Sequence, residues 1–372
     1  MIGQTLDKQG FCTNFEDILA QVERIDPIRY AKSRNFKNGA VTRLSPYISR
    51  GVISTKYVFD SLMKRGYKHW DIEKMIQELA WRDYWQQAWI EKGDEINEDL
   101  RKEQEEVENF EMPEALVQGK TGIEAVDEAI VAFFKTGYLH NHMRMYIAAI
   151  ACNMGHSHWK VPAQWMYYHL LDGDWASNAL SWQWVAGANS NKKYVANQEN
   201  INKYWKSRQR GTFLDIAYDE FQFMGTPEEL QETTIPELIT SLPEQGDIQI
   251  DSSKPCLIYN WYNLDPLWKK EEDVNRILLL EPSHFEDYPI SAKSVDFMLK
   301  LGGNIPGLQV YVGEFWELVR DQGIEDVYYK EHPLNGHYEG TEESRDWIFG
   351  VKGYFRSFFG FWKRCQKELK HL

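Results

Sequence analysis

An all-helical domain followed by a small open parallel-sheet α/β domain is the architecture this sequence predicts, and three changes of rhythm along the chain predict it. From about residue 14 to 205 apolar residues recur at helical spacing; from 206 to 253 the chain turns polar and loop-like; from 254 onward short β-rich runs alternate with helical stretches. The expected division is a helical domain over 1–205, a linker over 206–253 and an α/β domain over 254–372. At 372 residues the chain is long enough to bury two cores.

The helical half rests on FEDILAQVERI, IEKMIQELAWRDYWQQAWI, GIEAVDEAIVAFFKTGYL and MRMYIAAIACNM, separated by short polar or glycine-bearing breaks. TPEELQETTIPELITSLPEQGDIQIDSSKP carries prolines, threonines and acids with little periodicity, so it reads as a linker with a short helix or two. CLIYNW, RILLLEP, LQVYVG and DVYYKEH then read as strands, with helices at SAKSVDFMLKLG and EFWELVRDQG. Strands separated by helical stretches imply parallel pairing with right-handed crossovers. RDWIFGVKGYFRSFFGFWKRCQKELK reads as one aromatic amphipathic helix that packs back on the protein. The α/β half has no GxGxxG or Walker sequence, and the chain has no internal repeat.

Composition narrows the class. Hydrophobic residues at 43% and charged residues at 26% exclude global disorder. Cys12, Cys152, Cys256 and Cys365 show no CxxC spacing, so no zinc site, iron–sulfur cluster, disulfide framework or other metal centre is expected. With neither a signal-peptide pattern at MIGQTLDKQGF nor an apolar run long enough for a bilayer, the expectation is a cytoplasmic protein without a membrane partner. The net charge of −14 argues against a generic polyanion binder. The acids are unevenly placed, however. Residues 1–205 hold 24 basic and 27 acidic side chains, and 91–114 alone hold 11 acids against 3 bases, which leaves the rest of that half with 21 basic and 16 acidic. A modest basic face is compatible with that count. Ten of the 15 tryptophans also fall in the first 205 residues.

The densest chemistry lies in WMYYHLLDGDWASNALSWQW at 165–184, where Asp172-Gly173-Asp174 precedes Asn178, Trp182 and Trp184. Asp and Gly lower helix propensity, and tryptophan needs space and a partner for its N–H, so the composition is costly for a helix interior. The plain alternative is an Asp N-cap ahead of an aromatic core helix. Spacing alone leaves both readings open.

GAVTRLSPYISRGVIS at 39–54, ELAWRDYW at 78–85, GKTGIEAVDEAI at 119–130, TGYLHNHMRM at 136–145 and LLDGDWASNALSWQW at 170–184 occur in an order and spacing that resemble the FAD-binding domain of DNA photolyases and cryptochromes. The resemblance covers about half of the chain and implies FAD as cofactor. The polar turn Thr42-Arg43-Leu44-Ser45 can offer hydroxyls and backbone N–H groups to a pyrophosphate. The matching family turn holds the phosphates, although Val41 stands where it usually has a first Thr. Tyr30 and Arg82 match cofactor-contacting positions; on its own, Arg82 would read as a helix-surface ion pair. Asn141 and Arg144 lie three apart on one helical face, and Arg144 is placed to pair with Asp172. The resemblance implies that Asp172 and Asp174 contact the flavin and that Asn178 faces its N5; otherwise they are capping acids and a core amide.

Glu78, Trp81, Met145 and Trp184 match the dimer-pocket residues of cyclobutane-type photolyases, where an extrahelical lesion is held by aromatic walls and polar edge contacts. Each has a bland alternative: a solvated Glu78, core tryptophans, and Met145 as a gap filler. HNHMRM, with Asn141 and Met145, speaks against the (6-4) branch, although His140 and His142 remain, and the scattered cysteines speak against the iron–sulfur branch. Trp182 and Trp159 match the proximal and middle members of the family's electron path. The distal place falls in EQEEVENF without a tryptophan, leaving Phe110 or a neighbouring aromatic ring.

The family places its α/β antenna domain first. Here the order is reversed, so the resemblance implies a circular permutation with residues 254–345 in the antenna position; an unrelated α/β domain is the alternative, and a second chromophore is left open. The implied activity is light-driven repair of cyclobutane pyrimidine dimers in damaged DNA, with Glu78, Asn178, Trp182 and Trp159 as the chemically active residues. The alternative is a cryptochrome-like photoreceptor with a protein partner.

Overall fold

The computed structural model describes residues 10–371. The chain divides into two compact units: a helical unit of Lys32–Val41 and Lys92–Leu238, and a sheet unit of residues 10–31, Thr42–Glu91 and 239–371. Together they are α plus α/β in class.

In the helical unit, Glu124–Thr136, Asn141–Ala149, Lys160–His169, Trp175–Ala186 and Gln198–Trp205 are helices, and the second of these continues through a π-turn at Ile150–Met154. Their ends follow local chemistry. Asp174 and Asn197 each accept from a backbone N–H three residues on, at 2.8 and 3.0 Å, while Gly137 and Gly187 close helices in the left-handed conformation. Trp159, Trp165, Tyr146 and Tyr167 fill the interior. Strand β1 (Met112–Pro113) pairs antiparallel with β2 (Thr233–Thr234), and Gln198 N–H donates to Leu214 O. These bonds fasten residues beyond 205, expected as linker, to the helical unit. The short helix or two expected there correspond to 3₁₀ turns at Phe221–Phe223 and Glu228–Leu230.

The sheet unit holds all four expected strands, β3 (Cys256–Tyr259), β4 (Asn275–Leu280), β5 (Leu308–Val312) and β6 (Val327–Lys330), plus an edge strand β7 (Thr341–Glu343). All pairings are parallel, in the order β5-β4-β3-β6-β7, so the chain starts at the centre, builds one wing, then crosses to build the other. Every residue of β3 and β4 is buried, as a sheet covered on both faces requires. Helices Ala292–Gly302 and Phe315–Gln322 lie where the sequence placed them; Pro282–Asp287, after β4, is an addition. The C-terminal stretch differs from expectation. Only Phe358–Leu369 is helical, because Gly350 and Gly353, the latter at φ +95°, interrupt the preceding run.

The units also divide the chain elsewhere than at the expected domain boundary. Helices Phe15–Glu23, Thr55–Lys64 and Glu73–Lys92 pack with the sheet, and specific contacts do this. Phe15 N–H donates to Asn304 Oδ1, Leu264 N–H donates to Arg50 O, and the fully buried Arg50 guanidinium lies 3.1 Å over the Trp261 ring centroid. The next residue, Gly51, has φ +64°, and a Cβ there would stand 2.5 Å from Tyr262 O. Gly51→Ala should therefore cost the sheet unit at least ~2 kcal/mol from backbone strain and the forced contact. Urea unfolding followed through the unit's circular dichroism measures this, and an unchanged midpoint would mean that the Gly51 turn is not needed for docking.

Candidate functional site

The residues singled out from the sequence divide between the units: Asn141, Arg144, Met145, Trp159, Asp172, Asp174, Asn178, Trp182 and Trp184 belong to the helical unit, and Tyr30, Thr42, Arg43, Leu44, Ser45, Glu78, Trp81 and Arg82 to the sheet unit.

The centre of the first group is an ion pair. Arg144 Nη2 donates to both carboxylate oxygens of Asp172, at 3.0 and 2.8 Å, and Arg144 Nε donates to Leu139 O at 2.9 Å. The Asp172 side chain is 4% exposed and that of Arg144 23%. The pair thus holds a buried carboxylate in place while part of the guanidinium remains accessible. Asp174 is the N-cap of helix Trp175–Ala186 through Ser177 N–H, so the plain capping reading describes its backbone role. Within that first turn Asn178 Nδ2 donates to Ala163 O at 2.8 Å, and Ser177 Oγ is buried without a hydrogen-bond partner among the described residues. An orphaned hydroxyl and a braced amide in the helix that follows the Arg144–Asp172 pair are a donor set suited to a polar cofactor edge. Asn141 is exposed at the start of its helix, and Met145 is half-buried one turn on.

Trp159 and Trp182 are both buried, and Trp159 Nε1–H donates to Asp99 Oδ1 at 2.7 Å. Burial raises the Asp99 carboxyl, but hydrogen bonds from His158, Gln104 N–H and Trp159 together hold it below the usual carboxylate range. Asp99, unremarked in the sequence, is thus an anionic partner for the Trp159 indole; its only signal was a place in an acid-rich stretch. The expected distal place holds Phe110, which is 69% exposed, 5.3 Å from the His158 ring, which in turn lies 5.6 Å from Trp159. Trp184 is 38% exposed, two residues beyond the buried Trp182. His140 and His142 serve the helix: His140 Nδ1 accepts from His142 N–H, and the His142 ring, its basicity lowered by burial, meets Asn35 O.

In the sheet unit, Thr42 O accepts from Gln21 Nε2 and Thr42 Oγ1 from Leu44 N–H, while Arg43 holds the strained φ of +54°. Ser45 opens the short helix Ser45–Ser49, whose last residue accepts from Arg82 Nη2 at 2.6 Å. Tyr30 is half-buried in Pro27–Ser33. Glu78 pairs with Lys74 at 2.9 Å. Trp81 stacks on Phe358, with ring centroids 3.8 Å apart. Asp83, next to Arg82 in ELAWRDYW, accepts from Thr55 Oγ1 and Ile348 N–H, and burial pushes its carboxyl up to about 6. Neither the Phe358 contact nor the Asp83 anchor was legible beforehand, because both depend on where residues 345–369 fold back.

A cavity of about 260 Å³ in the sheet unit lies beyond the carboxyl ends of the strands, lined among others by Asn260, Tyr262, His284 and His337. Glu281, also in its lining, accepts from His337 Nε2, Tyr338 OH and Phe315 N–H. Among the described residues no cluster of His, Cys, Asp and Glu could hold a metal ion, and no helix is long and apolar enough to cross a membrane.

Residues 75–214 match the family model of the FAD binding domain of DNA photolyase. The chain is 28% identical over 203 residues to a deoxyribodipyrimidine photo-lyase of Vibrio cholerae, covering 49% of this chain and 41% of that one. It is 28% identical over 171 residues to a cryptochrome DASH of Danio rerio, covering 42% and 32% respectively. Among solved structures, a cryptochrome of Synechocystis sp. PCC6803 aligns with a TM-score of 0.45 at 21% identity over 54% of this chain and 45% of that one. The chain thus spans less than half the length of these relatives.

Two outcomes follow. Asp172→Ala leaves Arg144 without its carboxylate and should cost the helical unit about 3–5 kcal/mol and lower the FAD content of purified protein; urea unfolding and flavin absorbance measure both. Asp83 is proton-richer folded than unfolded, so its contribution to stability is present at acid pH and is lost as pH rises from about 4 through about 6. Asp83→Asn should match the parent protein near pH 4.5 and melt roughly 3–6 °C higher at pH 8. Parallel melting curves across that range would remove Asp83 as the cause.

Proposed function

Because residues 75–214 match the family model of the FAD binding domain of DNA photolyase, we propose that this chain is a light-driven lyase acting on cyclobutane pyrimidine dimers in DNA. The observation that carries the reading is helix Trp175–Ala186, which buries Asn178 and Trp182 yet presents the indole of Trp184 to solvent. A large exposed ring on the helix that follows the Arg144–Asp172 pair is suited to stacking on an unpaired base. Bound FAD would supply light-driven one-electron chemistry with no net redox change across the ring opening.

The chain's own residues bind and orient. Arg144, held by Asp172, keeps a fixed positive charge in the helical unit, and Asn178 keeps its amide oriented through Ala163 O. Asp174, Asn141, Arg82, Tyr30 and the Thr42–Ser45 turn are proposed as further cofactor contacts, each from within its own unit. Trp184 and Met145 are proposed to wall the lesion, as is Trp81, while Glu78 is proposed to hold a proton at a base carbonyl once released from Lys74. Damaged DNA is the proposed partner.

A second reading, a blue-light receptor without repair activity, is favoured by Phe110, which a light-driven electron path would cross less readily than an oxidisable tryptophan. Illuminating the FAD-loaded, reduced protein with dimer-containing single-stranded and duplex oligonucleotides decides between them. Loss of dimers, with a yield reduced severalfold in Glu78→Ala, is expected. Intact dimers with FAD bound would leave the receptor reading.

A further inference from the structure

Helix Glu73–Lys92 and the C-terminal helix Phe358–Leu369 share a stack of three nearly parallel rings. Trp81 and Phe358 lie 3.8 Å apart between centroids with planes 10° apart; Phe358 and Trp362 are 6.1 Å apart at 12°. Phe358 is 2% exposed and Trp362 3%, whereas Trp81 is half-buried, so the accessible end of the stack is the Trp81 indole. The strap before the C-terminal helix is pinned to the same helix: Asp83 accepts from Ile348 N–H, Gln86 Oε1 from Arg345 Nη1, Gln87 Oε1 from Gly353 N–H, and Tyr84 OH donates to Phe355 O. Gln366 Nε2 donates to Glu73 Oε1 from the C-terminal helix itself.

We propose that Phe358 is a positioning residue for base recognition: by covering one face of Trp81 it fixes the indole plane, so that a flipped base meets a pre-oriented platform. This rests on the reading of Trp81 as a substrate-contacting residue. A half-buried tryptophan with neither face covered turns between rotamers and must be immobilised when a base stacks on it, and this loss is paid out of binding. A ring at stacking distance, itself held by a second ring and by a strap with four hydrogen bonds, removes that freedom beforehand. Phe358 touches no base; its effect passes through Trp81.

The test is a double-mutant cycle on dark binding of a single-stranded oligonucleotide with one thymine dimer to the FAD-loaded protein, read by fluorescence anisotropy of labelled DNA. Trp81→Ala should weaken binding roughly tenfold. Phe358→Leu, which keeps most of the apolar bulk but loses the plane, should weaken it roughly threefold to tenfold, Phe358→Tyr should restore it, and the double variant should bind no worse than Trp81→Ala alone. A generally destabilising change would instead lower affinity in both backgrounds, and that result overturns the proposal. So does parental affinity in Phe358→Leu, or tighter binding, which would make the ring a cover rather than a support. Parental affinity in Trp81→Ala removes Trp81 from the substrate and fails the functional reading on which the proposal rests. If Phe358→Leu does not fold, as judged by its thermal midpoint, Trp362→Leu loosens the stack one ring further out and is read in the same cycle.

Discussion

The helical unit depends on a buried carboxylate. Asp172 is almost wholly buried, and a lone buried carboxylate would carry a desolvation cost of several kcal/mol, so the surroundings are built to offset it. Arg144 meets both oxygens, and its Nε is committed to Leu139 O, which fixes the guanidinium plane relative to the turn that starts its own helix. The same turn is tied to the Asp172 segment by Leu171 N–H donating to Gly137 O, and Gly137 has to be glycine, since it is left-handed and a Cβ would come within 2.6 Å of Leu171. One charge pair therefore sets the approach of two helix starts, Asn141 and Trp175, and with them the places of Asn178, Trp182 and Trp184.

How much of this could be read in the sequence follows from the range of each interaction. Helices and strands were legible because their signal is local: four of the five strands of the parallel sheet are strongly apolar runs, while Thr341–Glu343 is an edge strand of polar residues and left no trace. The Arg144–Asp172 contact was legible through the resemblance of the blocks that carry the two residues. Asp174 shows why spacing left two readings open, for an acid that caps a helix and an acid that faces a ligand have the same local sequence. The association of residues 10–31 and 42–91 with the sheet was not legible, because periodicity tells which face of a helix is apolar and not what covers it. Arg50 on Trp261 spans more than two hundred positions, and no local pattern encodes it.

The strap illustrates the same limit with chemistry attached. Residues 345–357 carry no regular helix, so their backbone groups need partners from elsewhere. Helix Glu73–Lys92 meets the Ile348 and Gly353 N–H groups with Asp83 and Gln87 and the Arg345 guanidinium with Gln86, all three side chains buried. Buried polar side chains in the middle of a long helix would be costly alone; the strap satisfies them, and they satisfy the strap. Burial pushes the Asp83 carboxyl up to about 6, and the Ile348 and Thr55 hydrogen bonds together with the Arg345 and Arg82 charges oppose that rise.

Helix Trp175–Ala186 separates two jobs by its pitch alone. Residues two apart on an α-helix point about 200° apart, so consecutive even positions cannot share a face. Trp182 and Trp184 accordingly face opposite environments, one interior and one solvent. An electron-carrying indole benefits from burial, because a rigid, water-free ring needs little reorganisation, whereas a base-stacking indole is useless unless its face can be reached. The SWQW sequence suits both proposed roles within one turn, and it places Gln183 between the two rings, fully buried and bonded through Nε2 to Ile96 O, as a brace on that turn.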